Sequence, residues 1–213
     1  LVAALEEARP GDRILLVSYG NGSDAIVLRV TDEIEKIRDR RGITGHLAMK
    51  RTLDSYEKYL RWRGLVPLEP ASRPDRDATS VSNLWRQRKF ALGLYGVKCK
   101  KCGTRQMWMD GSEAHARTCI QCFAKDEFEP YRFADKRSKL VSFSHDFLAL
   151  SDDPPNTMAC VDFEGGGRGS FEVTDRDPEE CKVGMSMEMT FRKLFTSARG
   201  IHNYFWKCKP VRD

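Results

Sequence analysis

Four cysteines carry the clearest chemistry in this chain: Cys99 and Cys102, then sixteen residues, then Cys119 and Cys122. In a Cys-x-x-Cys pair the short spacing lets both thiolates reach one ion, and two such pairs at this separation fit a tetrahedral zinc site built from two turns. Four thiolates leave the ion no open position, so the expected role is structural, one zinc per chain, with no activated water. Gly103 follows the first pair, where a knuckle needs a residue tolerant of positive φ. Phe123 follows the second, placed to pack the ribbon onto what comes next. Two disulfides, or four unrelated thiols, are the competing reading, and the absence of a secretion signal counts against them.

The next candidate chemistry is anion binding. The net charge of +5 is modest, but residues 83–109 hold Arg86, Arg88, Lys89, Lys98, Lys100, Lys101 and Arg105 with no acid among them. The alternative is a solvated basic face that offsets the thiolate charge. Nothing else assembles a complete active site. His46, His115, His145 and His202 are scattered, without a cysteine or carboxylate at triad spacing, and read as structural. Gly165-Gly166-Gly167 lacks the following helix and lysine of a phosphate loop and reads as a turn. Cys160 reads as a core thiol in mid-strand, and with Cys181 and Cys208 it is expected to stay reduced, which points to the cytoplasm. No apolar run approaches the ~18 residues needed to cross a bilayer, so no membrane partner is expected. The missing initiator Met fits a processed or excised segment.

These residues must be positioned by a mixed α+β chain of 213 residues, 40% of them hydrophobic and 31% charged. Residues 1–30 read as a helix end followed by a hairpin. Its strands run from Arg13 to Gly20 and from Asp24 to Val30, apolar enough to be buried on both faces, around the turn Gly20-Asn21-Gly22-Ser23. Two such strands are marginal alone, so they look like the edge of a larger domain. Residues 31–65 read as two helices, one capped by Thr31 and running to about Arg41, the other from His46 to Arg63. Gly42 and Gly45 break between them, and Gly64 ends the second. The proline-rich stretch 66–82 reads as a linker. Residues 83–135 read as a helix from Asn83 to Leu92, capped by Ser82, plus a rubredoxin-like zinc ribbon. Residues 136–213 read as five short strands: Leu140 to Leu148, Thr157 to Phe163, Gly169 to Val173, Gly184 to Leu194 and His202 to Cys208. Such strands suggest a small closed barrel, most simply an OB-fold.

Tyr95 to Cys102, the second cysteine pair, the Leu140 to Leu148 strand, the Pro154-Pro155 loop and the Gly184-Met185 strand resemble zinc-ribbon plus OB-fold proteins that accompany thiolase-superfamily enzymes acting on acyl-CoA. Gly11-Asp12 through Ser18-Tyr19-Gly20-Asn21-Gly22-Ser23-Asp24-Ala25 resembles the last hairpin of a ketoacyl synthase III or hydroxymethylglutaryl-CoA synthase, and Tyr56 to Leu65 resembles the helical segment that follows it in fused proteins. The resemblance implies a non-catalytic or catalysis-completing subunit that docks on a thiolase-like partner and helps position acyl-CoA. It also implies that the backbone N–H of Asn21, between Gly20 and Gly22, donates to an oxyanion, and that Arg86, Arg88, Lys89, Lys98 and Lys101 meet CoA phosphates. The family's nucleophilic cysteine, histidine and glutamate have no match here. The rival reading is an RNA- or single-strand-binding module, since Trp85, Tyr95, Trp108 and Phe128 lie near the basic stretch. The acids of residues 139–175 oppose it.

Overall fold

The structure is a computed structural model that describes residues 1–66, 80–107, 117–149, 151–197 and 200–212. It divides into two compact units, Leu1–Asp54 with Arg212, and Ser55–Val211. Most of the expected proline-rich linker, along with Trp108 and His115, lies outside the described residues.

In the first unit a short helix α1 (Val2–Glu7) precedes the hairpin of β1 (Arg13–Tyr19) and β2 (Ser23–Arg29), paired from Arg13↔Arg29 to Tyr19↔Ser23. The hairpin follows the sequence pattern; the expected burial of its two faces does not. Leu15 and Val27 are cross-strand partners, 64% and 68% exposed, and Ile26 on the opposite face is exposed as well. The unit's own core is only Ala8, Val30 and Ile34, with Leu5 and Ile14 against it.

The helices after the hairpin also differ from expectation. Residues Asp32–Ile37 form a 3-10 helix rather than an α-helix reaching Arg41, and the Thr31 side chain makes no cap. Gly42 begins α2 (Gly42–Ala48) instead of ending a helix, and Gly45 sits inside it. Its N-terminus is capped from a distance. The Glu6 carboxylate accepts from the backbone N–H of Ile43 and of Thr44, and from the Thr44 hydroxyl at 2.8 Å. In return the Arg38 guanidinium donates to the carbonyls of Glu6 and Ala8, at 3.2 and 2.7 Å, at the end of α1. Gly42 has φ +54, and a Cβ there would overlap the Glu6 carboxylate, so glycine is what admits the cap.

The second unit opens with α3 (Tyr56–Trp62), capped by Ser55 and ended by Gly64 at φ +65. The single helix expected from His46 to Arg63 is therefore two, and the second belongs with the barrel. Trp62 Nε1–H donates to Asp152 O at 2.8 Å and Arg61 to Ser151 O at 3.3 Å. Arg176, almost wholly buried, fixes that loop through Asp153 Oδ2 at 2.7 Å and Thr157 Oγ1 at 2.9 Å. The helix expected from Asn83 to Leu92 is likewise two, α4 (Val81–Arg86), capped by Ser80 rather than Ser82, and α5 (Arg88–Gly93).

The ribbon sheet has the order β4-β3-β5, from β3 (Tyr95–Cys99), β4 (Arg105–Gln106) and β5 (Phe128–Arg132). The barrel uses β6 (Ser138–Asp146), β7 (Asn156–Phe163), β8 (Arg168–Glu172), β9 (Ser186–Thr196) and β10 (His202–Pro210) in the order β10-β9-β6-β7-β8. A parallel bridge between Val173 and Cys208, with Thr174 N–H donating to Cys208 O at 2.9 Å, closes it. This is the five-stranded closed barrel that the sequence suggested. Phe147 and Leu148 fall beyond the end of β6 and are exposed. Cys160 is half-buried, back to back with the buried Ala159 and Val161; the core thiol is Cys208.

Ribbon and barrel share one core. Leu94 and Phe133, both without exposed surface, pack with Phe163, Phe171, Val161 and Met187. The Phe133 ring meets Tyr131 and Phe163 edge-on, each at 4.9 Å. Two glycines make room for it: a Cβ on Gly96 or on Gly167, which has φ +99, would strike the Phe133 ring.

Candidate metal centre

Each cysteine pair sits on a knuckle of the same construction. In the first, Cys99 N–H donates to Thr104 O at 2.8 Å and Gly103 N–H to Cys99 O at 2.9 Å. In the second, Cys119 N–H donates to Ala124 O at 2.9 Å and Phe123 N–H to Cys119 O at 3.0 Å. The residue after each pair takes positive φ, +76 at Gly103 and +57 at Phe123. Phe123 thus occupies the turn position that glycine holds in the first knuckle. Its ring is 74% exposed and packs the ribbon onto nothing among the described residues, contrary to the sequence expectation. The Gln106 side chain ties the knuckles together by accepting from Ile120 N–H at 2.9 Å, and Arg117 pairs with Asp126 at 2.8 Å at the base of the second.

The four Sγ atoms lie within 4.8 Å of one another, with Cys99 to Cys122 at 3.7 Å and Cys102 to Cys119 at 3.5 Å. A tetrahedron with metal–sulfur bonds of about 2.3 Å has edges of about 3.8 Å, so this set fits one thiophilic ion with four protein ligands. All seven cysteines are free thiols, which removes the disulfide alternative. Cys99 and Cys119 are buried and Cys102 is exposed, so the cluster opens to solvent on one side.

Proton affinities within the cluster are uneven. The Thr104 hydroxyl, 3.1 Å from Cys102 Sγ, and then its backbone N–H, bring the Cys102 thiol down to about 6. Cys119 is lowered chiefly by the backbone N–H of Cys122. For Cys122 the Ala124 N–H pulls downward, but burial and the three neighbouring thiols prevail and push it up to about 12. Four thiolates at this spacing repel one another, and a cation at their centre is what lets all of them ionise.

The other residues singled out in the sequence fall in three places. Gly20, Asn21 and Gly22 form the exposed tip of the β1–β2 hairpin, with Gly20 N–H donating to Gly22 O at 2.8 Å. Arg86, Arg88 and Lys89 lie on α4–α5. Arg86 leans on Ser82 O at 3.2 Å, while Arg88 leans on Trp85 O at 2.7 Å, its guanidinium 4.3 Å over the Trp85 ring. Lys98 is taken by Glu129 at 2.8 Å, and Lys101 is exposed on the first knuckle. Sequence reading missed Thr104 and Gln106, and it counted Arg105 only as one cation of the basic stretch. Arg105 stacks on Tyr131 at 5.0 Å and donates to Gly165 O, bonding the ribbon to the β7–β8 turn. Only their nearness to Cys102 signalled them.

Residues 131–192 match the family model described as the ChsH2 C-terminal OB-fold domain. A DUF35 domain-containing scaffold protein of Methanocaldococcus jannaschii is 31% identical over 137 residues, 62% of this chain and 92% of the relative. One from Methanothermobacter thermautotrophicus is 28% identical over 136 residues, 62% of this chain and 97% of the relative. A hydroxymethylglutaryl-CoA synthase of Methanosarcina mazei is 39% identical over 70 residues, 32% of this chain but only 20% of that enzyme. Among solved structures, a chain of an Ltp2-ChsH2(DUF35) aldolase, 14% identical, is matched over 65% of this chain and 98% of its own with a TM-score of 0.42.

Proposed function

This chain belongs to the family of DUF35 domain-containing scaffold proteins, and we propose that it is the scaffold subunit of a thiolase-type acyl-CoA complex that makes or cleaves a carbon–carbon bond beside a thioester. One observation carries the reading: the chain matches nearly all of a DUF35 scaffold protein and also a fifth of a hydroxymethylglutaryl-CoA synthase. A chain that joins the two kinds of sequence is suited to hold a condensing enzyme, and the nucleophile then belongs to the partner. The Cys99, Cys102, Cys119 and Cys122 cluster would hold zinc as a structural staple, Cys₄ being a closed coordination shell.

The hairpin supports a role at the partner. Its strands are apolar on both faces and exposed on both, as in a sheet meant to lie between two covering layers. In that setting the Asn21 N–H at the tip, flanked by Gly20 and Gly22, would donate to the thioester oxyanion of the assembled site. CoA phosphates would be met from the cations Arg86, Arg88, Lys89 and Lys101, while the Lys98 charge is compensated by Glu129. The nucleic-acid reading is weaker: Arg168, Arg176, Arg192, Lys207 and Lys209 of the barrel unit each pair with a carboxylate, which leaves little positive field for a phosphate backbone. The free thiols fit a reducing compartment, the cytoplasm by this proposal.

The test is purification of the tagged full chain from its own cytosol, with mass spectrometry and metal analysis on one sample. A stoichiometric thiolase-like protein together with about one zinc per chain is expected. Recovery of RNA or ribosomal protein in its place would overturn the reading.

A further inference from the structure

The helices α4 and α5 are amphipathic the wrong way round. Gln87 N–H donates to Asn83 O at 2.9 Å at the end of α4 and Ala91 N–H to Gln87 O at 2.8 Å at the start of α5, and the burial of residues 81–94 sorts their side chains into an inward and an outward stripe. The inward stripe starts with half-buried, polar Asn83 and Gln87 and turns apolar only at half-buried Phe90 and Ala91 and at fully buried Leu94, with Phe90 5.4 Å from Phe205. The solvent stripe carries Val81, Leu84, Trp85 and Leu92, with Val81 83% and Trp85 67% exposed. A helix that turns its apolar side chains to water and its amides to the protein body has its outer face prepared for another surface.

Charge says what kind of surface. Arg86 and Arg88 border the stripe, their side chains bond only to backbone carbonyls, and no carboxylate pairs with either among the described residues. The sequence from 81 to 107 contains no acid at all. A cover that matches this face therefore brings an apolar floor and carboxylates at its rim. Nucleic acid or a lone polyphosphate would answer the arginines and leave Val81, Leu84 and Leu92 in water. With Arg88 stacked over Trp85, the indole is ordered before anything binds, which lowers the entropic cost of docking.

We infer that the outer face of α4–α5, centred on Trp85 and bordered by Arg86 and Arg88, docks into an apolar, carboxylate-rimmed cleft of the thiolase-like partner, an inference that rests on the scaffold reading above. The experiment is calorimetric titration of the full chain with the thiolase-like protein recovered with it. It is repeated with Trp85→Ala, Trp85→Phe and the pair Arg86→Glu, Arg88→Glu. Trp85→Ala is expected to weaken binding ~30-fold or more, Trp85→Phe much less, and the charge reversal comparably to Trp85→Ala with an effect that shrinks at high salt. Metal content and melting temperature stay at parent values, because these side chains lie outside the core. A photo-crosslinking residue at position 85 is expected to label a carboxylate-bearing peptide of the partner. Parent affinity in both Trp85→Ala and the arginine pair would overturn the docking face while leaving the scaffold reading in place. Crosslinking of position 85 to residues 67–79 of the same chain, or to nucleic acid, would also overturn it. If the parent chain recovers no thiolase-like protein, the scaffold reading falls and takes this inference with it.

Discussion

Cys99 and Cys119 have no exposed surface and Cys208 has none either, but the three thiols sit in opposite electrostatic settings. Cys99 faces three other sulfurs, so Cys99→Ser is expected to lose the metal. Structural zinc contributes an apparent ~10–16 kcal/mol in small zinc peptides, and the ribbon should lose its fold with the ion. Metal content and near-UV circular dichroism of the variant check this; full metal occupancy would contradict the closed Cys₄ site. Cys208 is buried among Met187, Val173 and the barrel wall, its sulfur 3.8 Å from Glu172 O, and burial pushes its thiol up to about 12. A folded-state value above the unfolded one favours folding while the thiol is neutral. That contribution is whole below about pH 9 and is lost as pH rises from there toward 12. Cys208→Ala should therefore lose less stability than the parent between pH 8 and 10.5 in thermal melts, measured as the slope rather than the absolute melting temperature.

At the scale of elements, the parts specified by neighbours in sequence were legible and the parts specified by distant partners were not. The knuckles and the Gly165-Gly166-Gly167 turn need only local residues, and each stands where the sequence put it; β9 forms from Ser186, but the expected alternation fails past Met189, where Phe191 is exposed. Gly42 was misread because the cap that makes it a helix start comes from Glu6, far back in the chain, and Thr31 was credited with a cap that its side chain does not make. Gly42→Ala is expected to cost about 1–2 kcal/mol, from the positive φ together with displacement of the Glu6 carboxylate. The hydrogen-bonded Thr44 hydroxyl holds the Glu6 carboxyl below its ordinary range. The cap therefore stabilises α2 above the usual carboxylate range and is lost as pH falls through the lowered value. Amide exchange at Ile43 and Thr44, faster in Gly42→Ala and in Glu6→Ala alike, is the readout. The exposed faces of β1 and β2 were misread for another reason: an apolar strand announces that it will be covered, not by which chain.

For the whole molecule, the shared core makes ribbon and barrel one body, and the hairpin unit has a core of its own. Phe133→Ala removes a fully buried ring between them and should cost about 3–5 kcal/mol, lowering a single transition of the second unit instead of splitting it in two. Removing the metal with a strong chelator should lower that same transition and leave the exchange rates of residues 1–54 unchanged. The connections of the barrel predict slow assembly. Its strand β6 pairs β9 at the first residues of each, Ser138 with Met187 and Lys139 with Ser186, and the last link joins Val173 to Cys208, so closure needs chain segments far apart in sequence. The ribbon, by contrast, ties its knuckles within the stretch from Cys99 to Phe128 and can form early. Since that ribbon carries part of the barrel's core, a metal bound during synthesis would shorten the time the unclosed strands wait in water, and refolding with the metal withheld is expected to lose more chain to aggregation before the barrel shuts.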